Sequence, residues 1–90
     1  MKINNIHYHK RFESQFKSLP SKIQKKAIKC EQLFQKDPFH PSLRLHKLKG
    51  KLDGTWSISV DSKYRIIFKP KDDGNILFVS IGTHAIYEKS

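Results

Sequence analysis

The sequence predicts a single α+β domain, with an N-terminal strand and a two-helix hairpin packed on a mainly antiparallel sheet of four to five strands. Three observations lead there. Residues 43–68, LRLHKLKGKLDGTWSISVDSKYRIIF, hold three apolar segments with strand-like alternation and two short polar connections, the pattern of an antiparallel sheet centre. Two stretches before them carry apolar residues at helical spacing. Helices followed by a run of strands segregate to one face of the sheet and leave the other as a concave, polar surface. With 90 residues and 37% apolar content, the chain has enough for one modest core, so residues 1–90 are read as one domain.

Residues 2–8 place Ile3, Ile6 and Tyr8 in imperfect alternation, which suits a short edge strand. From residue 9 to 19, Phe12, Phe16 and Leu19 are spaced four and three apart among charged residues, predicting a short amphipathic helix. Pro20 interrupts it, and Ser21 with Gln24 three residues later reads as a capping box for a second helix. Ile23, Ala27, Cys30, Leu33 and Phe34 form that helix's buried stripe, and Lys22, Lys25, Lys26 and Lys29 lie around its solvated face. Prolines at 38 and 41 end it, since each lacks a backbone donor and disfavours helical geometry in the preceding residue.

In the first sheet segment Leu43 and Leu45 alternate with Arg44 and His46, and residues 50–54, GKLDG, connect it to the next. Residues 55–60 put Trp56, Ile58 and Val60 on one face and Thr55, Ser57 and Ser59 on the other. Asp61 and Ser62 make a hairpin turn. Tyr64, Ile66 and Phe68 then alternate with Lys63, Arg65 and Ile67, and PKDDGN at 70–75 is a strong turn signal. Residues 76–81 are nearly all apolar, as expected of a strand buried on both sides.

The formal charge is +10, from 18 Lys and Arg against 8 Asp and Glu, spread along the chain with no basic tail. Such a surface gains affinity for nucleic acid by releasing phosphate counterions, and it also suits an acidic protein partner. A membrane fits less well, because no amphipathic helix pairs a wide apolar face with a basic one. Cys30 stands alone, which leaves neither an internal disulfide nor a cysteine-rich metal site. The N-terminal ten residues lack an apolar run and nothing reaches membrane-spanning length, so a reducing cytoplasm is the expected compartment. No metal site or other cofactor is expected: His7 and His9 are the only closely spaced histidines, and no carboxylate motif accompanies them.

Three residues stand out for chemistry. His46 and His84 are the groups best suited to proton transfer near neutral pH, although a strand histidine is often structural. Arg65, between Tyr64 and Ile66 in a central strand, asks for a partner: either a salt bridge to Asp53 or Asp61, or a phosphate held by its planar pair of donors. Trp56 is read first as core and second as a base-stacking platform. Tyr87, close behind His84, is placed to stack on a base, to bind a phosphate or to anchor the C-terminus.

Residues 43–68 followed by IGTHAIY at 81–87 resemble the RelE/ParE toxin superfamily, in particular the YafQ- and HigB-like branch of bacterial type II toxin-antitoxin systems. The likeness extends to FESQFKSLPSKIQKKA at 12–27 and KDPFHPSLRLHKL at 36–48. It implies a microbial-RNase-like (RelE-like) fold and an mRNA interferase acting on the ribosome, with 16S rRNA contacts, held inactive by a cognate antitoxin, the pair contacting promoter DNA as a complex. By resemblance, His46 and His84 carry the proton transfers, Arg65 stabilises charge on the phosphoryl oxygens, and Lys49 is a secondary catalytic candidate. Arg44 and Lys47 guide the RNA backbone, with Trp56 and Tyr87 as further RNA contacts. The chain departs from many relatives in placing Thr83 and Ala85, with no acidic residue, beside His84. Two other readings stay open: the non-enzymatic gyrase inhibitors on the ParE side, which generally lack the histidine pair, and a nucleic-acid-binding module without catalysis.

Overall fold

Strand β4 (Arg65–Pro70) runs through the middle of a five-stranded sheet, and its side chains sort by parity. Ile66 and Phe68 face the helices; Arg65, Ile67 and Lys69 face away. The computed structural model describes residues 1–89, in the order β1 (Asn5–Tyr8), α1 (Lys10–Lys17), α2 (Ser21–Lys36), β2 (His46–Lys47), β3 (Trp56–Ser59), β4, β5 (Asn75–Gly82) and α3 (Ile86–Lys89). The sheet order is β1-β5-β4-β3-β2. Every pairing is antiparallel except that of β1 with β5, which is parallel, so the expected α+β arrangement of a mainly antiparallel sheet and a helical hairpin is what the chain forms.

The core lies between the hairpin and one face of the sheet. Phe12, Ala27, Cys30 and Phe34 from the helices meet Ile58, Ile66, Phe68, Ile76, Phe78 and Ile81 from the strands. Phe34 sits with its ring centroid 4.8 Å from Phe68 and 6.0 Å from Phe78, and Phe12 lies 5.4 Å from Phe78. Each such phenyl contributes about 1.5–3 kcal/mol by leaving water. Cys30 belongs to this layer as expected: its Sγ donates to the Ser59 carbonyl at 3.4 Å, and burial, helped by nearby Glu31, pushes the thiol pKa up to about 12. Among the described residues no helix is long and apolar enough to cross a membrane.

Three local expectations change. The capping box does not form, because Pro20 takes the N-cap position and Ser21 is already the first helical residue. Gln24 instead donates its side-chain amide to the Phe16 carbonyl at 2.8 Å, tying the two helices together. The N-terminal strand begins at Asn5 rather than residue 2, and the residues before it dock on a turn. Gly74 adopts φ +74°, and a Cβ there would lie 2.7 Å from the Lys2 carbonyl. Its own carbonyl accepts the Asn4 N–H at 2.8 Å, so only glycine fits this approach.

The largest change concerns residues 43–47, which alternate like a strand but pair only at His46 and Lys47. His40 Nδ1 accepts the Ser42 N–H at 3.2 Å and caps a 3-10 turn over Pro41–Leu43. Arg44 follows in the left-handed region at φ 47°, ψ 46°. Leu43 is thereby driven into the core rather than into a ladder. A capped turn and a reversed residue override the period-two pattern.

Candidate active site

The sheet face turned away from the helices is covered unevenly. Ser57, Ile67 and Ser80, adjacent across β3, β4 and β5, are buried on that side, and α3 packs on the end of β5. Beside them opens a cleft of about 590 Å³, lined by Arg44, His46, Leu48, Lys49, Lys51, Leu52, Arg65, His84 and Tyr87. Six of the eight residues singled out from the sequence are therefore brought together: His46, Arg65, His84, Lys49, Arg44 and Tyr87.

Lys47 and Trp56 are not brought to it. They are register partners across β2 and β3 and share the helix-facing side, because neighbouring residues of a strand point to opposite faces. Trp56 packs half-buried against the core, the first of its two sequence-level readings. Lys47 remains exposed beyond the cleft.

Arg65 opens β4, where it pairs with Ser59 on one side and Gly82 on the other. Its Nη1 donates to the Asp61 carbonyl at 2.6 Å and to the Tyr64 carbonyl at 3.1 Å. The anticipated alternative of a salt bridge to Asp53 or Asp61 is absent: the ion pair among the described residues is Lys26–Asp61, at 3.4 Å. Asp61 Oδ1 accepts the N–H groups of Lys63 and Tyr64, so its own turn engages one carboxylate oxygen while Lys26 meets the other. Burial works to raise the Asp61 pKa, but those two N–H bonds and the Lys26 ammonium outweigh it and hold the group below the ordinary carboxylate value. The guanidinium is thus fixed by neutral carbonyls and keeps its full charge for an incoming anion.

His46 stands on β2 opposite Ser57, its Nδ1 3.3 Å from the Ser57 Oγ and 3.4 Å from the Arg44 carbonyl. His84 lies in the turn between β5 and α3. Its carbonyl accepts the Tyr87 N–H at 3.1 Å, and the two rings meet edge to face with centroids 5.1 Å apart. Gly82 makes this turn possible: a Cβ at that position would lie 2.5 Å from Ile86 Cγ2, so α3 can close on β5 only over glycine.

Four cationic side chains, Arg44, Lys49, Lys51 and Arg65, line the cleft, and among the described residues no carboxylate does. Such a lining suits an anion, and with two imidazoles on the walls the arrangement is suited to moving protons around a phosphodiester. Among the described residues no group of three or more His, Cys, Asp or Glu side chains is placed to hold a metal ion. Sequence reasoning missed Lys51, the apolar wall of Leu48 and Leu52, and Ser57 beneath His46. Lys51 carried a signal, since residues 50–54 had to fold back beside the strand that bears His46. Ser57 carried none beyond its place in an alternating strand.

A second groove, about 320 Å³, lies between the helices and is lined mainly by Tyr8, Phe12, Phe16, Ala27, Ile28 and Phe78. Tyr8 donates to Glu31 at its rim, and burial, with that hydrogen bond, raises the phenol's pKa.

Comparison with known proteins bears on the fold and the family. Residues 4–88 match the family described as bacterial toxin of type II toxin-antitoxin system, YafQ. Over 52 residues the chain is 35% identical to toxin YoeB of Streptomyces coelicolor, a match spanning 58% of this chain and 62% of that one, less than two thirds of the relative's length. The crystal structure of YafQ from Escherichia coli BL21(DE3) superposes with a TM-score of 0.77 at 20% identity, covering 96% of this chain and 98% of that one. YafQ in the E. coli DinJ-YafQ toxin-antitoxin complex gives 0.74 at 20% identity, covering 96% and 97%. At that identity the two structures speak for the fold.

Proposed function

The chain belongs to the YafQ family of bacterial type II toxin-antitoxin toxins, and from that premise we propose that it is a ribosome-dependent endoribonuclease that cleaves messenger RNA. The observation that carries the reading is the meeting of His46, Arg65 and His84 in one cleft lined by cations. RNA holds its own nucleophile, so the protein need only move two protons and stabilise charge. One imidazole takes the proton of a ribose 2′-hydroxyl, whose oxygen attacks the adjacent phosphorus. The bond from phosphorus to the 5′-oxygen breaks, and the other imidazole protonates the departing oxygen. The products are a 2′,3′-cyclic phosphate and a free 5′-hydroxyl.

Arg65, held by two carbonyls, meets the negative charge that builds on the phosphoryl oxygens, with Lys49 as a second donor. Arg44 guides the backbone at the cleft wall, Lys47 does so from the neighbouring edge, and Tyr87 offers a ring face to a base. The compartment that fits these substrates is the cytoplasm, where ribosomes and messages are.

A cognate antitoxin follows from the same premise, since the E. coli relative is found with DinJ in a toxin-antitoxin complex. An acidic chain with a helix laid over the basic face would neutralise this one. Induced expression followed by primer extension on cellular messages tests the nuclease reading. Cleavage and growth arrest, both relieved by Arg65→Ala without unfolding, are expected; intact messages in cells that hold folded protein would overturn it. Co-expression with a cognate antitoxin should restore growth.

A further inference from the structure

We propose that Ser57, together with the backbone carbonyl of Arg44, is a positioning residue that holds His46 in its Nδ1–H tautomer and leaves Nε2 as the base. The assignment of a base rests on the ribonuclease reading; the tautomer rests on geometry alone. His46 and Ser57 are opposed across β2 and β3, which sets the imidazole directly over a serine that is 1% exposed. A buried hydroxyl needs a partner, and the imidazole is the side-chain partner of Ser57 among the described residues. The contrast is Ser80 on the same sheet face, equally buried, whose Oγ has no partner among them.

The Arg44 carbonyl sets which nitrogen bears the hydrogen, and Ser57 holds the ring where that carbonyl can be met. A hydroxyl either donates or accepts, but a carbonyl oxygen only accepts, and it lies 3.4 Å from the same Nδ1 that Ser57 approaches at 3.3 Å. A lone pair on Nδ1 would face the oxygen's own lone pairs, whereas an N–H there bridges both groups. The carbonyl is aimed by the left-handed conformation of Arg44, φ 47° and ψ 46°, which a non-glycine residue adopts only where its surroundings hold it there.

With the hydrogen on Nδ1, Nε2 carries the lone pair. When Nε2 accepts the 2′-hydroxyl proton, Nδ1 goes on donating to the same carbonyl, which stabilises the imidazolium as it forms. His84 meets the Tyr87 ring rather than an oxygen clamp, so protonation of the leaving 5′-oxygen falls to it. Ser57 touches no reacting atom in this scheme; it acts through His46.

Long-range proton-nitrogen correlation spectra of the imidazoles in the full-length protein, recorded where the rings are neutral, report the tautomer directly. His46 should show a protonated Nδ1 and a bare Nε2. Ser57→Ala should move it toward the Nε2–H form that a solvated imidazole favours, while Arg44→Gly, which keeps both the carbonyl and the turn, should not. In translating extracts Ser57→Ala should lower the maximal cleavage rate about tenfold with little change in apparent KM, and Ser57→Thr, which returns the hydroxyl, should recover it. An Nε2–H ring in the wild type, or spectra unmoved by Ser57→Ala, would overturn the proposal. The expected tautomer in a protein that never cleaves would uphold the clamp and reject the nuclease reading alone.

Discussion

The two faces of one sheet do opposite things with the same alternating strands. Toward the helices the strands present Ile58, Ile66, Phe68, Phe78 and Ile81, packed on Phe12 and Phe34, and the contacts are apolar and redundant. On the far side the cleft is built from single residues, each held by particular bonds: Arg65 by two carbonyls, His46 by a carbonyl and a hydroxyl, His84 by a turn that closes over Gly82. The helix side answers to hydrophobic burial, which is insensitive to direction. The cleft side answers to direction above all, so small changes there should disturb chemistry far more than stability.

The sharpest way to break that contrast is to cut into both faces and compare. Phe34→Ala should cost about 3–5 kcal/mol and lower the melting temperature strongly. Arg65→Ala should leave the melting temperature nearly unchanged and slow cleavage about a hundredfold or more. If Arg65→Ala unfolded the protein instead, the guanidinium would belong to the structure and the division between faces would fail.

A finer test moves α3 without touching a side chain of the cleft. Gly82→Ala forces Ile86 away, displacing the turn that carries His84, and should reduce cleavage about tenfold through misplacement of the imidazole. An equal loss of activity and of stability would show that α3 supports the fold more than the site.

The smallest expected effect lies at the turn before β4. The Asp61 carboxyl is held below its ordinary pKa of 3.8, so its stabilising contribution is fully present above that value and is lost as pH falls through the lower, folded-state value. Asp61→Asn should cost under about 1 kcal/mol, as for a partly exposed ion pair with Lys26, and should flatten the acid limb of the stability profile. Urea melts at neutral pH and near pH 3 would read both.

The element order and the helix-facing stripe were legible in the sequence because periodicity records which side is buried, and Phe12, Ala27, Cys30 and Phe34 kept their spacing through the fold. The cleft was legible in its residue types, histidines and an arginine in unusual strand positions. Its walls were not. Trp56 and Lys47 lie outside the cleft by register, since they pair with each other across β2 and β3 and share the helix-facing side. Residues 43–45 looked like strand because a period-two pattern cannot reveal that His40 caps a turn or that Arg44 reverses the backbone. That same reversal aims the carbonyl that His46 meets, so the place where local pattern failed is part of the site.

The most direct test of the account is the chemistry of the cut ends in a translating extract, comparing wild type with His46→Ala, His84→Ala and Arg65→Ala, each shown to be folded. The account expects messages ending in 2′,3′-cyclic phosphate with wild type, and cleavage slowed at least a hundredfold in each variant. Cleavage at the wild-type rate in any of the three, or ends bearing a 5′-phosphate, would contradict it.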